Sequence, residues 1–217
     1  MKYQRCQLLF RDDLTTLQQA KVILFGVGGV GSFCLDALIR TGICDVTIVD
    51  FDTYDETNQN RQIGSDLVGA IKVERLRELY PTVTPIHVKV TPQWIENFDF
   101  DPYDVVLDAI DDIPAKVALA LKCHKKLISA TGSAKRIDPT KIEVATIWKT
   151  QGDALAKKFR DELKKKRFSK NFRVIFSQEQ VLCTEKGSFV GVTGAFGLTL
   201  CAEAIKKILE RAKTAHL

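Results

Sequence analysis

The sequence predicts an α/β fold: a mostly parallel sheet with helices on both faces, followed by a C-terminal elaboration. Three observations predict it. Short β-branched runs alternate with stretches of helical spacing through about residue 131. A glycine run, Gly26-Val27-Gly28-Gly29-Val30-Gly31, separates the first such strand from the first such helix. Acids close later strands, at Asp50 and Asp108, where a parallel sheet presents its carboxyl edge.

The elements follow in order. Lys21 to Phe25 is an apolar strand running into the glycines, and Ser32 to Arg40 carries Phe33, Leu35, Ala37 and Leu38 at helical spacing. Val46 to Asp50 is a second β-branched strand, completing a βαβ unit. A polar loop from Asp52 to Ser65 precedes a helix over Gly69 to Tyr80, which Pro81 stops. Ile86 to Val90 reads as the third strand and Tyr103 to Asp108 as the fourth; a helix entered at Pro114 runs to His124, and Leu127 to Ala130 is the fifth strand. Beyond Gly132 the spacing predicts a strand over Ile142 to Trp148, a charged helix over Asp153 to Lys166, a strand over Phe172 to Ser177 and a closing helix over Val192 to Ala212.

At 217 residues without a proline- or glycine-rich linker, one domain spanning 1–217 is expected, its nucleotide-binding half before about 131 and its substrate-specific half over 132–217. Six isolated cysteines form no Cys-x-x-Cys pair, so no structural zinc is expected; Cys34, Cys44 and Cys201 sit among apolar neighbours and read as buried packing thiols in a reducing cytosol. Met1 to Cys6 lacks an apolar signal core, and the glycine-bearing run Phe189 to Ala202 is too short to span a bilayer and reads as a buried helix. A cytoplasmic protein with no membrane partner is expected. Net charge is +5, yet Gln151 to Arg173 alone carries +6 through nine Lys/Arg, among them Lys157, Lys158, Lys164, Lys165, Lys166 and Arg167. That segment is either a solvated helix face or a landing surface for a polyanion such as RNA.

Gly26-x-Gly28-Gly29-x-Gly31, after a strand and before a helix, lets backbone approach a phosphate at the helix N-terminus. A dehydrogenase uses a similar loop, and Asp50 stands where its ribose-binding acid belongs, so an NAD-binding dehydrogenase or regulator stays open. The following residues favour a triphosphate. Asp50-Phe51-Asp52 leads to Asn58-Gln59-Asn60-Arg61-Gln62, and Lys72 lies on the next helix; Arg61 and Lys72 supply cations for leaving phosphates. Arg61 pairing with a loop carboxylate and Lys72 lying on a helix surface are the plainer alternatives. Asp111 is the candidate magnesium ligand; helix capping by Asp111 or Asp112 competes with that role.

These residues together resemble the ThiF/MoeB/ubiquitin-activating superfamily, whose pattern is Gly-x-Gly-Gly-x-Gly, Asp-x-Asp, Asn-x-x-Arg-Gln, a helical Lys and a later Asp. The resemblance implies a Rossmann-like adenylation fold and ATP with Mg²⁺. It also implies Asp50 on the ribose, Asn58, Arg61 and Lys72 around the phosphates, Asp111 at the metal, and a homodimer in which Arg5 reaches the partner's ATP. Within the superfamily the chain is most similar to the tRNA threonylcarbamoyladenosine dehydratase branch. The carriers are Thr57 to Ile63, Leu107 to Asp111, Thr131-Gly132 with Ile137 to Ile142, Asp153 to Arg160 and Val174 to Glu179. The segment after Glu179 is short for that branch, and Thr184 to Gly187 reads as a trimmed turn. The stretch Gly191 to Gly197 resembles the branch's closing segment, and close helix packing explains its small residues equally well.

The branch implies a modified tRNA substrate whose carboxylate is adenylated and then cyclised with loss of water. Adenylation of a ubiquitin-like sulfur carrier and a non-catalytic RNA-binding module are the rivals. Whether a monovalent cation joins Mg²⁺, and which sulfur-transfer proteins the chain meets, the sequence leaves open.

Overall fold

The computed structural model describes residues 2–185 and 187–215. Met1, at the head of the segment read for a signal core, and Lys186, inside the turn read as trimmed, lie outside the described residues. A seven-stranded sheet of order β3-β2-β1-β4-β5-β7-β6 forms the middle layer. Its strands are β1 (Lys21–Phe25), β2 (Asp45–Asp50), β3 (Thr84–His87), β4 (Val105–Asp108), β5 (Leu127–Ala130), β6 (Ile142–Thr146) and β7 (Arg173–Ser177). All pairings are parallel except β6 with β7. In register, Leu24 of β1 lies between Ile48 and Leu107.

Both faces of β1 are buried, which is why it reads as a continuous apolar run. Val22 and Leu24 enter one core with α2 (Asp13–Gln19), α3 (Gly31–Thr41), α4 (Lys72–Leu79) and α8 (Val190–Ala215). Ile23 and Phe25 enter the other with α5 (Pro92–Asn97), α6 (Ile113–Cys123) and α7 (Ala154–Lys165). Each fully buried aliphatic or aromatic side chain contributes roughly 1.5–3 kcal/mol. No described helix is long and apolar enough to cross a membrane.

Several boundaries differ from the sequence expectation. The helix expected from Gly69 starts at Lys72, because Gly69 holds a φ of +86° and Thr53 bridges to Ile71. The third strand is Thr84–His87 and not Ile86 to Val90; its Pro85 is tolerated because β3 is the sheet's edge. Three short helices were not anticipated: α1 (Gln4–Phe10), α2 and α5, the last capped by the Thr91 side chain accepting from the Trp94 N–H. They span six or seven residues, too few for a helical period to register. The expected Ile142 to Trp148 strand gives way to a 3-10 turn at Ile147–Lys149.

The closing helix is longer than expected and only one side of it is buried. Gly194 lies against the Phe33 ring, and a Cβ at Gly197 would sit 2.3 Å from the Val30 carbonyl, so its small residues serve contact with α3. Val190 and Leu198 face solvent, correcting the expectation of a wholly buried helix. Cys34, Cys123 and Cys201 are buried; Cys44, expected among them, is only half-buried because it follows the end of α3.

Candidate active site

Strand order reverses between β1 and β4, and at that switch point the carboxyl edge opens into a cleft of about 820 Å³. Its walls gather Gly26, Gly28, Gly29, Asp50, Asp52, Asn58, Arg61, Lys72 and Asp111 from four separate stretches of sequence. Gly31 and Arg5 are not on the wall. Gly31 sits behind the loop, where a Cβ would fall 1.8 Å from the Gly26 carbonyl oxygen; Gly26 itself holds a φ of +82° beneath Ala109. These two glycines make the turn close, and Gly28 and Gly29 face the cleft. No described side chain caps the N-terminus of α3; the Ser32 N–H bonds the Gly28 carbonyl at 2.9 Å, and the Gly31 N–H has no acceptor among the described residues, which leaves it to an anion. Arg5 is exposed on α1, away from this cleft.

The loop is held from β2. Asp50 accepts from the Val27 N–H through Oδ2 at 2.8 Å and from the Asp52 N–H through Oδ1 at 2.9 Å. Asp50 thus fixes the glycine loop while standing on the cleft wall. Asn58 is buried and completes a reciprocal cap with Asp55. The Thr57 hydroxyl, 2.5 Å from Asp55 Oδ1, holds that carboxyl below the usual carboxylate range.

Lys72 is 5% exposed, and its Nζ lies 3.0 Å from Asp52 Oδ2 at the cleft, so it is no surface lysine. Arg61 donates through Nη1 to the Thr57 carbonyl at 2.6 Å and to Asn60 Oδ1 at 2.8 Å, and no described carboxylate pairs with it. Both cations therefore stand positioned beside the loop, with Arg61 Cγ next to Gly29. The two acids after Ile110 divide their roles. Asp112 caps α6, accepting from the Ala115 N–H at 2.9 Å. Asp111 is exposed on the wall and accepts no hydrogen bond from a described residue.

The turn carrying Asp111 rests on a buried pair that the sequence reading missed. Asp108 and Lys116 are both fully buried; Lys116 Nζ lies 2.9 Å from Asp108 Oδ2 and donates to the Ala130 carbonyl at 2.7 Å, and Ser129 donates to Asp108 at 2.6 Å. Asp108, expected at the ligand edge, is structural for that reason. A lysine inside the otherwise apolar start of α6 was the available signal. Lys89, Ser133, Ser188 and Thr193 also line the cleft and were not anticipated: the first three arrive from loops without a motif of their own, and Thr193 from the first turn of α8, where small residues read as packing.

On α7, Lys157, Lys158, Lys164 and Lys165 are exposed, as are Lys166 and Arg167 just past its end, while Ala156, Phe159 and Leu163 are buried. Arg160 and Arg173 of the basic segment are otherwise engaged. Arg160 bonds Thr150, and Arg173 pairs with Glu210 at 2.7 Å and Glu203 at 3.5 Å.

Fold and cleft together define a Rossmann-like α/β protein whose glycine loop opens onto the cleft at the head of α3, with Arg61 and Lys72 beside it. The chain matches the ThiF family over residues 2–217 and belongs to it. It is 39% identical over 180 residues to the tRNA threonylcarbamoyladenosine dehydratase of Bacillus subtilis, covering 78% of this chain and 71% of that protein. It is 32% identical to the Escherichia coli protein of the same name, over 92% of this chain and 90% of the other. The crystal structure of the Escherichia coli dehydratase TcdA in complex with ATP superposes with a TM-score of 0.91 at 33% identity, covering 98% of this chain and 96% of that one.

Proposed function

We propose that this chain is an ATP-dependent tRNA threonylcarbamoyladenosine dehydratase. The observation that carries the reading is Lys72: a buried cation turned onto the cleft wall beside the glycine loop, in a chain that matches dehydratases over nine-tenths of both lengths. ATP enters as substrate. The threonyl carboxylate alone is a poor electrophile, since its leaving group would be oxide. One carboxylate oxygen attacks the α-phosphorus; an acyl-phosphate bond forms, the bond to the β-phosphate oxygen breaks, and pyrophosphate leaves. A nucleophilic group of the same modified side chain then attacks the acyl carbon, closes a ring, loses its proton and expels AMP. The net change in the nucleoside is loss of one water.

The protein's part is positioning and electrostatics. Asp50 orients the loop and faces the ribose, Asn58 sits against the phosphates, and Arg61 and Lys72 offset charge on departing pyrophosphate. An exposed carboxylate without a hydrogen-bond donor suits a hard cation whose other ligands are phosphate oxygens, so Asp111 is the residue that would hold Mg²⁺. Bound there, the ion would supply charge neutralisation for the departing pyrophosphate. The outward lysines of α7 form the tRNA-facing surface, in a cytoplasmic enzyme. The active form is a homodimer, consistent with exposed Leu8 and Leu9 on α1 beside Arg5 in sequence.

Incubation with ATP, Mg²⁺ and total tRNA tests the proposal, with nucleoside mass analysis expected to show loss of one water matched by AMP release. Absence of both sinks it. ATP–pyrophosphate exchange stimulated by a ubiquitin-like carrier, and not by tRNA, would establish the carrier-activating alternative.

A further inference from the structure

Across the sheet's carboxyl edge, the cleft runs from the ends of β3 and β2, past the glycine loop after β1 and Asp111 after β4, to the loop after β5. If Asp50 marks the ribose end, the β5 loop is at the opposite end, where the acyl substrate belongs. That loop, residues 131–137, places Ser133 on the wall. It belongs to no helix or strand, and Lys135, in the turn at 134–135, holds a φ of +67°.

Arg136 keeps the loop in shape. Its side chain is buried, at 4% exposure, although it belongs to a surface loop. Nε donates to the Glu179 carbonyl at 2.9 Å, Nη1 donates to the Gly132 carbonyl, and Nη2 reaches Asp153 Oδ2 and the Ser177 carbonyl, each at 3.4 Å. One guanidinium therefore ties the loop's last residues to its first, to the end of β7 and to the N-terminus of α7. Asp153 is equally committed: Oδ1 caps α7 at the Ala156 N–H, and Oδ2 also accepts from the Thr131 hydroxyl at 3.1 Å. The loop then carries a second strand of chain, since Lys135 and Gly187 bond at 2.9 Å, and the neighbouring Ser188 reaches the cleft and accepts from Asn60.

We propose that Arg136 is a positioning residue for the substrate end of the cleft: through its clamp on Gly132, Asp153 and Ser177 it sets Ser133 and Ser188 where the modified nucleoside docks, without touching the nucleotide end. This rests on the proposed function. A planar fork with fixed donors suits four acceptors from three segments; a lysine ammonium retains the charge but not the geometry.

Two variants test it. Arg136→Gln with Asp153→Asn removes the ion pair together, leaving no unpaired buried charge, and Asn still caps α7. Arg136→Lys keeps the charge. Both are expected to fold and to show the wild-type shift of Tm and wild-type KM with ATP. With tRNA, kcat/KM falls roughly tenfold to a hundredfold in the double variant and less in Arg136→Lys. Wild-type kcat/KM for tRNA in a folded double variant overturns the proposal, as does an equal loss toward ATP. Failure of both variants to fold also overturns it, because the clamp would then serve only the fold. If the wild-type chain releases no AMP with tRNA, the proposed function fails and this variant comparison is not what shows it.

Discussion

Lys72 and Arg61 illustrate how a single side chain acquires meaning from where its elements set it. Lys72 opens α4, and its Nζ turns back to Asp52 instead of outward. Arg61 is oriented by a carbonyl and an amide oxygen, neither of which cancels its charge. Alanine at Arg61, Lys72 or Asp111 is expected to lower kcat for AMP release by about 10²–10³ while leaving the unfolding transition cooperative; near-normal turnover in all three variants contradicts their assigned roles. The cysteines are expected to be bystanders. Burial pushes the Cys123 and Cys201 thiols up to about 12, and the Cys34 thiol well above its ordinary range. A raised thiol pKa leaves the neutral, poorly nucleophilic form at pH 8. Iodoacetamide at that pH should therefore spare these three in the folded protein, and each Cys→Ala variant should retain activity; rapid labelling of Cys34 would refute the first expectation.

At the scale of elements, the glycine loop separates two demands that the motif alone runs together. Gly31 has no room for a methyl group, whereas a Cβ at Gly28 would meet only the Gln62 side chain at 3.8 Å. Gly31→Ala should lower Tm markedly and lose ATP binding. Gly28→Ala should keep its Tm and lose ATP affinity alone, because its added methyl occupies phosphate space. Calorimetry on the pair decides between this division and a shared structural role. The α7 helix makes a parallel case. Its apolar side is used by the core, and its lysines face outward. Ala at Lys164, Lys165 and Lys166 together should weaken tRNA binding and flatten its dependence on salt concentration. Unchanged affinity across a salt series would mark a solvated face, particularly since Lys165 already pairs with Glu162 at 2.6 Å.

For the whole molecule, the open question is whether one chain makes a complete site. Arg5 is exposed and absent from its own chain's cleft wall, which is the arrangement a residue acting on a partner's ATP requires. In that case Arg5→Ala and Lys72→Ala, each inactive alone, should restore activity when mixed and refolded. Random pairing gives half heterodimers with one intact site of two, so about a quarter of wild-type turnover is expected. No recovery in mixtures shown to exchange subunits would place Arg5 outside the catalytic assembly.

The sequence by itself determined the alternation of strands and helices, the parallel sheet and the glycine loop at its edge. Those features are written in local periodicity and in residues whose steric properties act over a few positions, and β1 and β5 accordingly fall at the expected residues. It also singled out Asn58, Arg61, Lys72 and Asp111, which keep a recognisable order in the chain and line one cleft in the fold. Tertiary structure decided what each of these touches. Asp108 became a buried partner of Lys116, Gly31 a packing residue, and Asp112 a cap that leaves Asp111 free of that task. It alone brought Ser133 and Ser188 to the cleft wall and Arg136 behind the loop that carries Ser133. The physical reason is separation: Arg136 bonds residues up to 43 positions away, and no local pattern encodes which distant carbonyl a guanidinium will meet once β5, β7 and α7 have packed.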